Sequence, residues 1–228
     1  MLPGDHRPML QRSFVFLFLA GFALVASAPL LIAAAPFEST MGLIQKIFYF
    51  HVPSWIAMFT AITICGVASV RYLATRSRSS DRLALSAAEL VVVFGLIGML
   101  TGPLWGRKAW GVYWQWDAKL TSALVCWLVF VAYNLLRRFG GPGSERLAAG
   151  VAIFGMANVP FVYWSAHLWR TVHPKTSVVM TLDASMRPAF YWSAFGFLLI
   201  FGTLLAARTR LEALRASIDD AYLSAEDL

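Results

Sequence analysis

The amino-acid sequence predicts an all-α integral membrane protein: a six-transmembrane-helix bundle with both termini cytoplasmic and a Trp-rich loop facing outward. Three observations carry this expectation. Apolar residues make up 59% of the chain and charged residues 14%, with a mean hydropathy of +0.65, outside the usual composition of soluble domains. Six apolar stretches recur, each near the roughly 17 to 25 residues that cross a bilayer as a helix. The cations gather in the links that share one side if those six stretches alternate.

In chain order the expected spans are 14–37, 47–70, 83–102, 120–136, 147–169 and 189–207. The first is longer than the ~7–15 residue core of a signal peptide. Its small residues Ala33-Ala34-Ala35 are followed by Pro36, which obstructs cleavage there, so it is read as an uncleaved span. The third contains one acid, Glu89, within two turns of its inner end and expected to face the interface or bond locally. Two inward links look like turns: the polar run Arg76-Ser77-Arg78-Ser79-Ser80-Asp81 and the breaker Gly140-Gly141-Pro142-Gly143-Ser144. The chain thus divides into a membrane domain, 1–207, and a cytoplasmic tail, 208–228. In the tail, Leu211, Leu214 and Ile218 fall at helical spacing, as in a short amphipathic helix on the membrane surface.

The net charge of +7 reports orientation in the bilayer, with no nucleic-acid partner implied. Arg7, Arg12, Arg71, Arg76, Arg78, Arg82, Arg137, Arg138, Arg146, Arg208, Arg210 and Arg215 are twelve of the nineteen cations, and all fall on one side. By the positive-inside rule that side is cytoplasmic. Three connections then face outward, at about 37–48, 103–119 and 168–188. No GxxxxGK[ST] loop occurs, so the chain has no ATPase of the P-loop type. Nor does the sequence show the paired intramembrane charges of many ion-coupled carriers. Cys65 and Cys126 fall inside spans, form no CxxC pair, and read as small buried residues.

The residues with chemistry all map to the outward side. Trp105, Trp110, Trp114, Trp116 and Asp117 lie within thirteen positions, with Arg107, Lys108 and Tyr113 between them. Interfacial tryptophans commonly anchor helices, and composition alone leaves that reading open. At ~100° per residue, Trp110 and Trp114 share a helix side while Trp105 and Trp116 point away. Gly102, Pro103, Gly106 and Gly111 interrupt the run, so 103–119 is expected as an irregular or re-entrant layer. Several indoles turned to one surface would suit a large, planar, apolar ligand with acidic edges.

His51, in Phe48-Tyr49-Phe50-His51-Val52-Pro53, sits near the outer end of the second span, with Pro53 suited to a helix's first turn. The last outward loop carries His167 and His173; His6 is on the inner side. Three histidines without nearby cysteines or several carboxylates make a poor zinc set. A lone histidine in an apolar setting is more often structural. Two imidazoles from separate loops beside an aromatic floor match axial ligation of a haem iron better. Lys46, Arg107, Lys108, Lys119, Arg170, Lys175 and Arg187 would then be available to its carboxylates. Asp117 is expected to orient an indole N–H or one of these cations.

The run Trp105-Gly106-Arg107-Lys108-Ala109-Trp110-Gly111-Val112-Tyr113-Trp114-Gln115-Trp116-Asp117 resembles the WWD signature of haem-handling proteins. More narrowly, the chain resembles the cytochrome c maturation protein C family (CcmC, or haem exporter protein C). Tyr49-Phe50-His51-Val52-Pro53, Asn158-Val159-Pro160, Thr171-Val172-His173 and Asp183-Ala184-Ser185-Met186-Arg187 also look like elements of that family. The larger WWD relatives, CcmF and the CcsA-type synthetases, have more spans. The resemblance implies a subunit without ATPase activity in the bacterial inner membrane, its working loops in the periplasm. It would hold haem b as transient cargo and promote transfer to the haem chaperone CcmE, beside CcmA, CcmB and CcmD. It further implies His51 and His173 as axial ligands to the iron, with Trp105, Trp110, Trp114, Trp116 and Asp117 in the signature loop. The cations Arg107, Lys108 and Lys119 are placed with that site. His167 matches no family histidine and competes with His173 for the second ligand position. A membrane electron-transfer subunit with a permanent b-type haem is the rival reading.

Overall fold

A computed structural model describes residues 7–173 and 176–226. Helices α1 (Arg7–Ala34), α2 (Phe48–Thr75), α3 (Arg78–Trp110), α4 (Ala118–Phe139), α5 (Ser144–Leu168) and α6 (Arg187–Glu226) make up the chain, with short 3-10 turns at Leu43–Ile47 and Thr176–Val179. Among the described residues there is no strand, and all six helices contain a stretch long and apolar enough to cross a membrane. Every peptide group in such a stretch must bond within the chain, which a helix achieves alone. The six-helix, all-α membrane architecture expected from the sequence is therefore what the chain forms.

Helix α2 is the centre of the bundle, packing against α3, α5 and α6, while α1 lies on α6 and α4 pairs with α5. Small residues bring the helices close: Ala57, Ala61, Cys65 and Ala68 of α2 meet Ala84, Ala87, Ala88 and Val91 of α3 in the main core. Cys65 and Cys126 are free and buried there. A second apolar cluster caps the Trp-rich end, where Phe48, Tyr49 and Trp105 pack on Leu182, Met186 and Phe190. Outer faces of α1, α3, α4 and α5 leave large apolar side chains exposed, as helices solvated by lipid do.

Three lengths differ from expectation. Helix α3 runs through Pro103 to Trp110, well past the expected end near 102. Only 111–117 between α3 and α4 is non-helical, so the irregular loop is half as long as foreseen. Helix α6 continues to Glu226 without a break, instead of ending near 207 before a separate surface helix. Arg208 explains the continuation: it donates to Glu89 of α3 at 2.5 and 2.7 Å and to Glu212 one turn on at 2.9 Å. Glu89 is thus paired across the bundle, with neither a local partner nor a purely interfacial position. Arg137 of α4 clasps both carboxylate oxygens of Asp81 at the start of α3, and Arg78 bonds Asp220 at 3.1 Å. These ion pairs fasten the Arg-rich end and leave the Trp-rich end to differ in shape.

Candidate functional site

At the Trp-rich end, α2 starts at Phe48 directly from the 3-10 turn, so His51 stands in its first turn and a half, with Pro53 deeper than the first-turn position expected. His51 is buried. Its Nδ1 lies 2.9 Å from Thr101 Oγ1, and that hydroxyl gives its only proton to the Ile97 carbonyl at 2.7 Å. The Thr101 oxygen must then accept from Nδ1–H, which leaves the lone pair on Nε2. That is the tautomer a metal ligand requires, set by the partner of the other nitrogen. Gly102 makes room for the ring: a Cβ there would sit 3.2 Å from His51 Cε1.

The second histidine is placed by Asp117. This carboxylate caps α4, accepting from Leu120 N–H at 2.8 Å, a common task for aspartate at a helix N-terminus. Its other oxygen accepts from the Thr171 hydroxyl at 2.5 Å and Val172 N–H at 3.2 Å, while His173 N–H donates to Thr171 Oγ1 at 3.1 Å. Asp117 therefore ties 169–173 to α4, in place of the indole N–H or cation expected for it.

Between the two histidines lies a cavity of about 290 Å³, lined mainly by aromatic and aliphatic side chains, with both His51 and His173 in its wall. Rings connect them in sequence. His51 meets Trp105 edge-on at 5.6 Å, Trp105 stacks on Trp110 at 6.4 Å and 25°, and Trp110 lies 6.3 Å from His173. Trp114 also lines the cavity. The buried indole N–H groups of Trp105 and Trp114 have no hydrogen-bond partner among the described residues. An unpaired buried donor is costly, on the order of 1–3 kcal/mol, and two around one cavity mark it as a place for a ligand with acceptor atoms.

Not every expected residue converges. Trp116 is 77% exposed, packs edge-on against Trp114 at 5.7 Å and stays off the cavity wall. Gly111, in the left-handed region at φ +80°, turns the chain out of α3 there. Arg107 donates to the Gly111 carbonyl at 2.6 Å and lies over the Tyr113 ring, bracing the turn from outside. Lys108 is exposed. Lys119 does line the cavity, but it is buried and its Nζ donates to the Val162 carbonyl at 2.9 Å, linking α4 to α5. Lys46 bonds the Ala33 carbonyl and Arg187 the Leu182 carbonyl, away from the histidines; Lys175 and His6 lie outside the described residues. His167 is exposed beside Tyr163 and absent from the cavity wall, which favours His173 between the two. Sequence reasoning missed Thr101, Trp55 and Gly102; the only hint was Trp55 one helical turn beyond His51.

The adjoining loops are fixed by carboxylates. Glu38 accepts from Met41 and Thr40 N–H groups at 2.6 and 2.8 Å. The Met41 bond chiefly holds its carboxyl below the ordinary value. Asp183 is lowered likewise, first by the Ser185 hydroxyl.

Among the described residues no group of three or more His, Cys, Asp or Glu side chains is placed to hold a metal ion. Two imidazoles suit a metal that brings its remaining ligands with it, inside a flat apolar molecule. The comparisons with known proteins point the same way. The family described as CcmC, Heme exporter protein C, matches residues 4–223. Heme exporter protein C of Bradyrhizobium diazoefficiens is 36% identical over 193 residues, covering 82% of this chain and 73% of the relative. Its namesake in Escherichia coli K12 is 33% identical over 181 residues, covering 77% and 73%. That of Paracoccus denitrificans is 30% identical over 187, covering 79% and 78%. With a match spanning nearly its whole length, the chain belongs to the Heme exporter protein C family.

Proposed function

We propose that the protein is a haem-handling subunit of cytochrome c biogenesis. It holds haem b on the periplasmic face of the bacterial inner membrane and promotes its transfer to the haem chaperone CcmE. The observation that carries this reading is the meeting of His51 and His173, from different ends of the chain, in the wall of one aromatic cavity. The family membership and the relatives' names support the cargo. The periplasmic orientation rests on the cations at the opposite end of the bundle.

Haem would bring four ring nitrogens with its iron, and His51 and His173 would be the imidazoles that hold it. The Thr101 bond keeps His51 Nε2 available, and the Asp117–Thr171 bond holds the backbone before His173. Trp105 and Trp110 would exclude water from the macrocycle, and Arg107 and Lys108, exposed in the last turn of α3, are the cations available to its carboxylate edge. The protein acts without ATPase activity of its own, as part of a complex with CcmA, CcmB and CcmD. Affinity has to stay moderate, because a handover site must release its cargo.

Titration of the purified protein with haem, followed by addition of CcmE, tests the proposal. Stoichiometric haem should give a Soret band and then appear on CcmE. Haem that stays bound and only cycles between oxidation states would favour a permanent b-type cytochrome. No binding by wild type would overturn the reading.

A further inference from the structure

Helices α3 and α4 are bonded to each other toward the Arg-rich end and line two sides of the cavity toward the Trp-rich end. Toward the Arg-rich end they are joined by Arg137–Asp81, by Asn134 Nδ2 donating to the Ala88 carbonyl at 3.1 Å, and by Trp127 Nε1 donating to the Val92 carbonyl at 3.1 Å. Trp127 also fills the space over Gly95, where a Cβ would fall 2.3 Å from its ring. Beyond Gly95 the pattern changes. Gly98 and Gly102 receive Trp55 and His51 of α2, and the facing residues of α4, Leu120 and Ala123, line the cavity. The two helices thus flank the cavity like the arms of a V, bonded at the level of Trp127 and both lining the cavity beyond it.

The V faces hydrocarbon. On α3, Leu100 and Leu104 beside it are 61% and 58% exposed. Of the remaining helices, α1 packs on α6, α6 lies against α2 and α3, and α5 walls the cavity through Val162 and Tyr163. The inner wall of the V is an aromatic ladder on α2: His51 meets Trp55 at 6.2 Å, and Trp55 meets Phe59 at 5.6 Å. Eight residues of helix place Phe59 about 12 Å below His51, at membrane depth. A pocket serving only the aqueous side has no need of an apolar wall that deep.

We infer that the gap between α3 and α4 is a lateral portal, through which haem passes edge-on from the bilayer to the histidines. The physical reason is the cargo's surface. A macrocycle arriving through water exposes both apolar faces on the way, whereas one arriving from lipid exchanges hydrocarbon for indole and phenyl faces without that cost. Its carboxylates can ride at headgroup level beside Arg107 and Lys108, which end α3. This portal rests on the haem-handling reading, and it specifies the route that reading leaves open.

The test closes the V without touching the histidines. Leu100→Cys and Leu124→Cys, on facing helices and outside the cavity wall, are combined to staple the lips, and the protein is reconstituted in proteoliposomes with haem dissolved in the bilayer. Oxidised staple should slow appearance of the Soret band at least tenfold, reduction should restore the rate, and haem delivered from serum albumin in the aqueous phase should bind at an unchanged rate. Equal rates for oxidised and reduced protein would overturn the portal. Should the cysteines fail to pair, Leu100→Trp serves instead, with the same tenfold slowing expected and an unchanged rate refuting the route. Loss of binding from both sources with either variant would mean the site itself was altered, and the portal would also fall. Wild-type protein that binds no haem from either source would instead defeat the underlying haem reading.

Discussion

Asp117 accepts the Thr171 hydroxyl at 2.5 Å while capping α4 through Leu120 N–H. One carboxylate thus sets where a helix begins and where the backbone of a distant loop comes to rest. His173 follows two residues after Thr171, and its N–H donates to the same threonine oxygen.

Asp117→Asn separates these duties. An amide oxygen can still cap α4, but the NH2 group cannot accept from Thr171 and Val172 together with that cap. Haem affinity should fall about 10–100-fold, the range seen for residues that orient a metal ligand, while helix content stays unchanged by circular dichroism. Thr171→Val should move affinity in the same direction. Wild-type affinity in both variants would show that the clamp does not position His173.

Thr101→Val removes the acceptor for His51 Nδ1–H at nearly constant volume. The imidazole is then free to swap tautomers and rotate away from Gly102. We expect weaker haem binding by about 10-fold or more and a heterogeneous Soret band. Thr101→Ser, which keeps the hydroxyl, should restore most of the loss. A valine variant that binds as wild type does would refute the tautomer assignment.

Asp81→Asn tests the other end of the bundle. It breaks a pair whose side chains are only 12% and 18% exposed and leaves Arg137 without its carboxylate. Breaking such a pair costs about 3 kcal/mol, so thermal unfolding in detergent should come several degrees earlier. Haem affinity of the still-folded protein should not change, because the site lies at the opposite end.

The number and order of the spans were legible because length and apolarity suffice to specify a membrane helix. Their ends were not. Helix α3 passes Pro103 and Gly106 because the helix N-terminal to them is already packed on α2, and α6 outruns its apolar stretch because Arg208 finds Glu89, 119 positions earlier. In the site, His51, His173, Trp105, Trp110 and Trp114 could be singled out by type and spacing. Thr101 could not, since a threonine in an apolar helix gives no sign that its oxygen faces an imidazole fifty residues away. Lys119 read as a cation for the haem carboxylates but donates to an α5 carbonyl, and Trp116 read as part of the platform but faces out. Alternation along a short irregular loop does not say which indoles face in; only the packing of 169–173 against α4 decides that.

The pairing of His51 with His173 on one iron is tested most directly by low-temperature electron paramagnetic resonance of the ferric haem complex, in wild type, His51→Ala and His173→Ala. The wild type should give the low-spin signal of two imidazoles, and each variant should convert to a high-spin, five-coordinate signal with weaker retention of haem. A low-spin bis-imidazole signal persisting in either variant would contradict the assignment.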